Sequence, residues 1–174
     1  FTDYIKIQLL ITVQYEMKKF KVEVLELLEL NDFENNIQII HKYDKRKLVN
    51  ALFSFLCSTD KKIKSNAVMA MGEVVSKIAE IDLESARIIM RRLMLNLNDE
   101  SGGIGWGAPE AMGEIMARSE KLAEEYHKIL ISYTLGGGNE LDFEELQKDV
   151  IVGLKRLSRV RPNLVKEVEH LLNE

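Results

Sequence analysis

The sequence is poor in cysteine and proline, and each shortage excludes a class of protein. Its 174 residues include one Cys, 2 Pro and 10 Gly. A single cysteine, Cys57, rules out an intramolecular disulfide framework and a cysteine-rich zinc or iron–sulfur site. So few prolines and glycines rule out a collagen-like chain, a proline-rich linker and a disordered tail. The remaining composition is that of a globular chain that can bury a core.

Long apolar runs and an excess of positive charge are also lacking. No stretch approaches the roughly 20 continuous apolar residues of a membrane span, and no apolar run near the start is long enough for a signal peptide. The net charge of -4 argues against a general nucleic-acid binder, whose surface must neutralise phosphates. We therefore expect a cytoplasmic protein without membrane contact, for which nucleic acid is disfavoured as a partner.

The first sixteen residues alternate between apolar and polar side chains. Apolar residues occupy every second position from Ile5 to Tyr15, an alternation broken only by Leu10, which predicts a half-buried β-strand. A lone strand must pair, so this pattern predicts homo-oligomerisation through the strand or pairing with another chain or strand; an added tag is the alternative. We predict two parts: a strand-like extension or tag at 1–16 and a helical domain at 17–174.

From Met17 onward the apolar residues follow the period of an α-helix. The pentapeptide Ala-Met-Gly-Glu-Val at 70–74 recurs as Ala-Met-Gly-Glu-Ile at 111–115, 41 positions later, and Val-Gly-Leu at 152–154 is a weaker copy. A period near 40 filled by two antiparallel helices is typical of HEAT repeats. The sequence therefore predicts an all-α fold, an α-solenoid of about four HEAT-like repeats. Predicted helices lie at about 22–30, 33–42, 45–57, 61–80, 83–97, 108–118, 120–135, 142–159 and 162–172.

The repeated glycines predict close helix packing. Gly72, Gly113 and Gly153 fall inside predicted helices, where each costs about 1 kcal/mol relative to alanine. Their common register suggests a shared cause, namely a close approach of the helix pair that a Cβ atom would prevent. This role is structural, with no chemistry attached to the glycines.

Four more glycines lie within six residues, beside the only Trp of the chain, in the segment 98–114. Backbone N–H groups at a helix start can hold an anion, but acidic residues flank this segment and suit a cationic partner or, more weakly, a hard metal ion. The alternative is that Trp106 folds back onto the core as a plug. The candidate partner- or ligand-contact residues are Trp106, Gly103, Gly105, Glu110, Glu114 and Arg91.

Residues for catalysis or metal binding are not grouped in the sequence. His41, His127 and His170 are far apart, and none has a second His or Cys three or four positions away. Cys57 has no neighbouring base at helical spacing that would activate it. We predict no catalytic residues, no metal and no cofactor.

Charge is distributed unevenly along the chain. Residues 41–64 contain seven Lys or Arg and two Asp, whereas residues 101–150 contain four Lys or Arg and ten acids. This asymmetry could orient a partner or favour head-to-tail self-contact; solvated helix faces are the simpler interpretation.

Four stretches resemble a known family. Residues 31–34 (Asn-Asp-Phe-Glu), 90–94 (Met-Arg-Arg-Leu-Met), 98–114 and 156–162 (Arg-Leu-Ser-Arg-Val-Arg-Pro) are similar to an uncharacterised prokaryotic HEAT-repeat family of the phycobilisome-lyase-like type. The resemblance covers 31–162 and implies an α-solenoid with a binding or scaffold role. It implies no catalytic residues for this chain.

The function predicted from these patterns is a non-catalytic protein–protein interaction or scaffold module, with a protein partner whose identity is open. A small-ligand-binding or lyase-type enzyme is the alternative, with a site at 98–114 and Glu110 or Glu114 as acid or base. An AlkD-like HEAT protein that binds DNA is less favoured, because of the net charge.

Overall fold

The computed structural model describes residues 2–97, 105–136, 139, 141 and 143–173, and their side chains from residue 5 onward. In these residues the regular structure is helical, and no β-strand is present among them. Eight α-helices follow one another: α1 (Thr2–Leu28), α2 (Lys45–Leu56), α3 (Lys61–Ile81), α4 (Leu83–Leu97), α5 (Ala108–Arg118), α6 (Glu120–Ser132), α7 (Glu144–Val160) and α8 (Glu169–Leu172). Two 3₁₀ helices, Ile37–Lys42 and Pro162–Val168, complete the set.

Local sequence signals account for most helix boundaries. The Asp44 carboxylate accepts a hydrogen bond from the backbone N–H of Lys47 at the start of α2, and Asp60 does the same for Lys62 and Ile63 at the start of α3. Pro109 lies in the first turn of α5, where its missing N–H has no intrahelical partner to lose. The all-α prediction is confirmed, and α2 to α7 begin and end within three residues of the predicted positions.

The predicted N-terminal strand is wrong. Residues Thr2–Leu28 form one continuous α-helix, which also passes through the predicted boundary between 16 and 17 without a break. Every side chain from Ile5 to Lys19 is exposed, and the described part of the chain contains no strand with which this segment could pair. A helix satisfies its own backbone hydrogen bonds within the segment, whereas a lone strand cannot.

The helices pack around a shared hydrophobic core. α5 lies between α3 and α7 and makes its most extensive contacts with them. α2 and α4 pack on α3, and α6 packs on α5. Helix α1 contacts α2 and α3, and its buried residues Val24, Leu27 and Leu28 lie near its C-terminal end.

The repeated glycines lie where α3, α5 and α7 approach each other. A Cβ atom on Gly113 of α5 would collide with the backbone of Gly153 in α7, and one on Gly153 would collide with the Pro109 carbonyl oxygen. A Cβ on Gly72 of α3 would meet the side chains of Glu114 and Arg118 in α5. The predicted close approach is confirmed, although it joins these three helices rather than the two members of one antiparallel pair.

Candidate functional site

The end of the glycine-rich segment forms a turn, residues 105–107, directly before α5; we call it the Gly-Trp turn. Gly105 and Gly107 are buried, while the side chain between them is turned outward, leaving Trp106 37% exposed. Trp106 is therefore not a plug in the core. It is a large apolar side chain at the surface, held between two buried backbone positions.

Contacts with two other helices hold the Gly-Trp turn in place. The backbone N–H of Gly107 donates a hydrogen bond of 2.7 Å to the Asp149 carboxylate of α7. Gly107 has a φ of 77°, and a Cβ there would collide with the carbonyl oxygen of Leu56 at the end of α2. Both the left-handed conformation and the lack of space require glycine at this position.

Asp149 also begins a chain of charged side chains that crosses α7, α3 and α5. Lys64 of α3 contacts Asp149 at 2.7 Å and Glu110 of α5 at 2.8 Å. Arg156 of α7 contacts Glu110 at 3.8 Å and Glu114 at 2.9 Å. We call the complete set the ion-pair row; its members in order of contact are Asp149, Lys64, Glu110, Arg156, Glu114, Arg118, Glu73 and His41.

The other half of the ion-pair row connects α5 to the first 3₁₀ helix. Arg118 contacts both Glu114 and Glu73 at 2.8 Å, and Nε2 of His41 lies 2.8 Å from the Glu73 carboxylate. Glu73 and Glu114 occupy the same position in the two copies of the Ala-Met-Gly-Glu motif. The recurrence therefore repeats an ion-pair position as well as a glycine contact.

The pKa values of two members of the row are raised, for different reasons. Desolvation raises the pKa of the Glu110 carboxyl, and the opposing effect of Lys64 does not cancel it. Desolvation by itself lowers the pKa of the Lys64 ammonium, but hydrogen bonds to Asp149 and Glu110 outweigh it, so that pKa is raised. Lys64 is therefore held in its charged form between two carboxylates.

Glu110 and Glu114, two of the candidate ligand-contact residues, are members of the ion-pair row. Glu110 and Glu114 are buried, with 8% and 9% of their surface exposed, and basic side chains of this chain already bind both. Neither has a free face for a cationic partner or for acid–base chemistry. In the described part of the chain, no group of three or more His, Cys, Asp and Glu residues could hold a metal ion.

Arg91 and Gly103 are the remaining candidates. Arg91 contacts Glu84 at 2.5 Å on the exposed side of α4. Its neighbour Arg92 donates to Asn50 at 2.6 Å and covers the ring of Phe53 at 3.8 Å. Gly103 lies outside the described residues. Of the six candidates, Trp106 and Gly105 lie in the turn, and Glu110 and Glu114 lie in helix α5, which follows it.

Sequence reasoning missed Lys64, Asp149, Arg156 and Glu73 as members of this site. The motif recurrence was the one signal that could have identified Glu73, because it aligns Glu73 with Glu114. Lys64 and Asp149 are 85 positions apart in the chain, and their pairing depends on how α3 and α7 flank α5.

A groove of about 790 Å³ lies elsewhere, between α2, α3 and α4. Apolar side chains such as Val49 and Ile78 line it together with the basic residues Arg46 and Arg92. Three of the seven basic residues of 41–64 have separate contacts: Arg46 lines this groove, Lys64 belongs to the ion-pair row, and Lys62 binds Asn31 after α1 at 2.6 Å.

None of the described helices has a stretch long and apolar enough to span a membrane. Comparison of the chain with protein-family models, with curated proteins and with solved structures finds no match in any of the three. The resemblance to a HEAT-repeat family stays a prediction.

Proposed function

We propose that this chain is an α-solenoid of HEAT-like repeats that acts in the cytoplasm as a non-catalytic protein-interaction module, with Trp106 as a focal contact. The repeat architecture is supported by equivalent packing of the two Ala-Met-Gly-Glu copies. Gly72 packs against α5 and Gly113 packs against α7, and Glu73 pairs with Arg118 of α5 as Glu114 pairs with Arg156 of α7. Helices that repeat the same contact with the next unit are the defining property of a solenoid.

The observation that carries the interaction role is the exposure of Trp106 on an anchored turn. Tryptophan is among the residues most enriched at the energetic centres of protein interfaces. Its neighbours Gly105 and Gly107 are buried, and the Gly107 N–H is bonded to Asp149, so the backbone below the indole is held before any partner arrives. A partner then orders few additional groups on binding, which favours affinity.

The ion-pair row supports a binding role over the enzymatic alternative. A general acid or base must reach its substrate, but Glu110 and Glu114 are buried and held by Lys64, Arg156 and Arg118. The DNA-binding alternative needs a continuous basic surface, and three of the seven basic residues of 41–64 are engaged in separate contacts. No described contact favours either alternative.

The proposal predicts that Trp106→Ala removes binding partners. We would immobilise wild-type and variant protein, pass a cell extract of the source organism over each, and quantify the retained proteins by mass spectrometry. A partner that depends on this side chain should fall by about tenfold or more, as is usual when an interface hot spot is truncated. Unchanged thermal unfolding by circular dichroism would show that the variant is folded.

Phe143→Ala is the matched control, since Phe143 is an aromatic side chain that is 52% exposed before α7. It should retain the partners of the wild type. If wild type and Trp106→Ala retain the same proteins in the same amounts, Trp106 is not the contact.

A further inference from the structure

The ion-pair row has more carboxylates than permanent cations. It contains four carboxylates, two arginines, one lysine and His41, and all four carboxylates are buried. The His41 ring, next to Glu73, is charged only when it is protonated. Lys77 acts on Glu73 from nearby, but it forms an exposed pair with Glu80 that is balanced in itself. With a neutral His41 and ionised carboxyls, the row has one negative charge in excess, which a single bound proton removes.

Cations are scarcest at the end of the row beside the Gly-Trp turn. Glu114, in the middle of the row, contacts two arginines, each within 2.9 Å. Glu110 and Asp149 have one ammonium between them, that of Lys64, at 2.8 and 2.7 Å. Arg156 lies 3.8 Å from Glu110, which is beyond the range of a hydrogen bond. Two buried carboxyls therefore depend on a single directly bonded cation.

The Glu110 and Asp149 carboxyls also form a hydrogen bond with each other. Two ionised carboxylates repel each other and have no proton to donate, so this contact requires a proton on one of them. Asp149 accepts the Gly107 N–H at 2.7 Å, and an N–H donor favours the ionised form of the carboxylate that it faces. The proton therefore belongs to Glu110.

The charged neighbours of Glu110 come from both helices that flank α5. α3 contributes Lys64, and α7 contributes Asp149 and Arg156, while Glu114 lies one turn further along α5 itself. Lys64 favours the ionised form of Glu110, whereas burial and Asp149 favour the protonated form. The pKa of the Glu110 carboxyl is raised, with desolvation as the largest cause, so the second group of effects prevails.

Protonation of Glu110 changes how firmly Asp149 is held. With the proton in place, Glu110 donates to Asp149 and no longer competes with it for the Lys64 ammonium. Asp149 then accepts hydrogen bonds from Lys64, Glu110 and the Gly107 N–H. Without the proton, Glu110 repels Asp149 in a buried place, where salt and water screen the repulsion poorly. The residue that holds the Gly-Trp turn is thus less firmly fixed.

We propose that a single proton held between Glu110 and Asp149 stabilises the Gly-Trp turn, so that the order of Trp106 depends on pH. The turn is firmly held while Glu110 is protonated, and it becomes more mobile as the pH rises and this proton is lost. The inference goes beyond the proposed interaction role and does not depend on it, because the order of the turn is a property of the chain without a partner.

Acrylamide quenching of Trp106 fluorescence tests the proposal with the full chain, from pH 4.5, the ordinary pKa of a glutamate carboxyl, to about pH 8. In the wild type, quenching should increase as the pH rises, along the curve of a one-proton titration. Glu110→Gln keeps an N–H donor towards Asp149 but cannot ionise, so its quenching should stay low throughout. Glu145→Gln removes an exposed carboxyl one turn before Asp149 on α7; it is the matched control and should follow the wild type.

Two further variants locate the proton. Lys64→Gln removes the cation that favours the ionised form, so the transition should move to higher pH, a shift that a merely structural role would not produce. His41→Gln changes the other end of the row and should leave the transition in place. The ¹⁵N NMR signal of the Gly107 amide should follow the same titration in the wild type and should not titrate in Glu110→Gln.

Thermal unfolding by circular dichroism at each pH would show that the variants are folded; if Lys64→Gln is not, Glu110→Gln and His41→Gln still decide the question. Wild-type quenching that is constant over this pH range, a transition that persists in Glu110→Gln, or one that disappears in His41→Gln would overturn the proposal. The partners lost by Trp106→Ala are measured separately, so the interaction role can fail without affecting this result.

Discussion

At the scale of single residues, the repeated glycines determine how closely the helices pack. Gly113 and Gly153 have no side chain, so the backbones of α5 and α7 come into contact with each other. At Gly72 the nearest atoms belong instead to the side chains of Glu114 and Arg118. The motif is the same in both copies, yet the cost of adding a methyl group differs, because backbone cannot move aside and side chains can.

We expect Gly113→Ala to lower the free energy of unfolding by about 1–3 kcal/mol, as overpacking of a core does. This loss should occur although alanine is the better helix former by about 1 kcal/mol. Gly72→Ala should cost less, because Glu114 and Arg118 can rearrange. Urea unfolding followed by circular dichroism measures both variants. A Gly113→Ala chain as stable as the wild type would contradict the close approach of α5 and α7.

At the scale of elements, Asp149 shows how one side chain joins three helices. It lies on α7, accepts a hydrogen bond from the Gly107 N–H at the start of α5, and contacts Lys64 of α3. Asp149 is itself buried, so all its partners would be left in a poorly solvated place without it. The position of the Gly-Trp turn therefore depends on a residue 42 positions further along the chain.

Asp149→Ala should destabilise the fold by about 2 kcal/mol, because it leaves the buried Gly107 N–H and the Lys64 ammonium without their acceptor. Asp149→Asn should cost less, since its side-chain oxygen can still accept one of these hydrogen bonds. Trp106 is the only Trp, so its fluorescence reports on the turn directly. We expect acrylamide to quench it more readily in Asp149→Ala. Equal stability losses in the two variants would argue against the hydrogen bond as the cause.

At the scale of the whole molecule, the ion-pair row joins the first 3₁₀ helix to α7 through α3 and α5. Its members are buried to different degrees. At Glu110, desolvation raises the pKa of the carboxyl. Between the ordinary carboxyl pKa of 4.5 and the raised value, the folded chain binds more protons at Glu110 than the unfolded chain. The contribution of Glu110 to the free energy of unfolding therefore increases as the pH falls through this window.

This linkage predicts the pH dependence of Glu110→Gln. The wild type should gain stability relative to this variant as the pH is lowered from 7 towards 4.5, because glutamine takes up no proton. Urea unfolding at a series of pH values measures the difference. Glu124→Gln, on the exposed surface of α6, serves as control and should follow the wild type. A difference between Glu110→Gln and wild type that is constant or shrinks on acidification would contradict the raised pKa.

Much of the fold was predictable because the signals are local. The caps at Asp44 and Asp60 and the helical period of the apolar residues define α2 and α3 within the residues that form them. The strand predicted for 5–15 failed because alternation describes which side chains are apolar and says nothing about whether a neighbouring strand exists. The residues that the structure describes include no such strand, and the segment forms a helix.

The sequence alone determined helices α2 to α7 and the glycine positions at which helices approach closely, because helix formation and steric size depend on nearby residues. Only the tertiary structure decided that Glu110 and Glu114 are neutralised by Lys64, Arg118 and Arg156 and that Trp106 is turned outward. Those outcomes depend on residues up to 85 positions apart being brought together by packing. Glu110 and Glu114 therefore have a structural role. The Trp106 indole and the apolar side chains in the N-terminal half of α1 are exposed and available to partners.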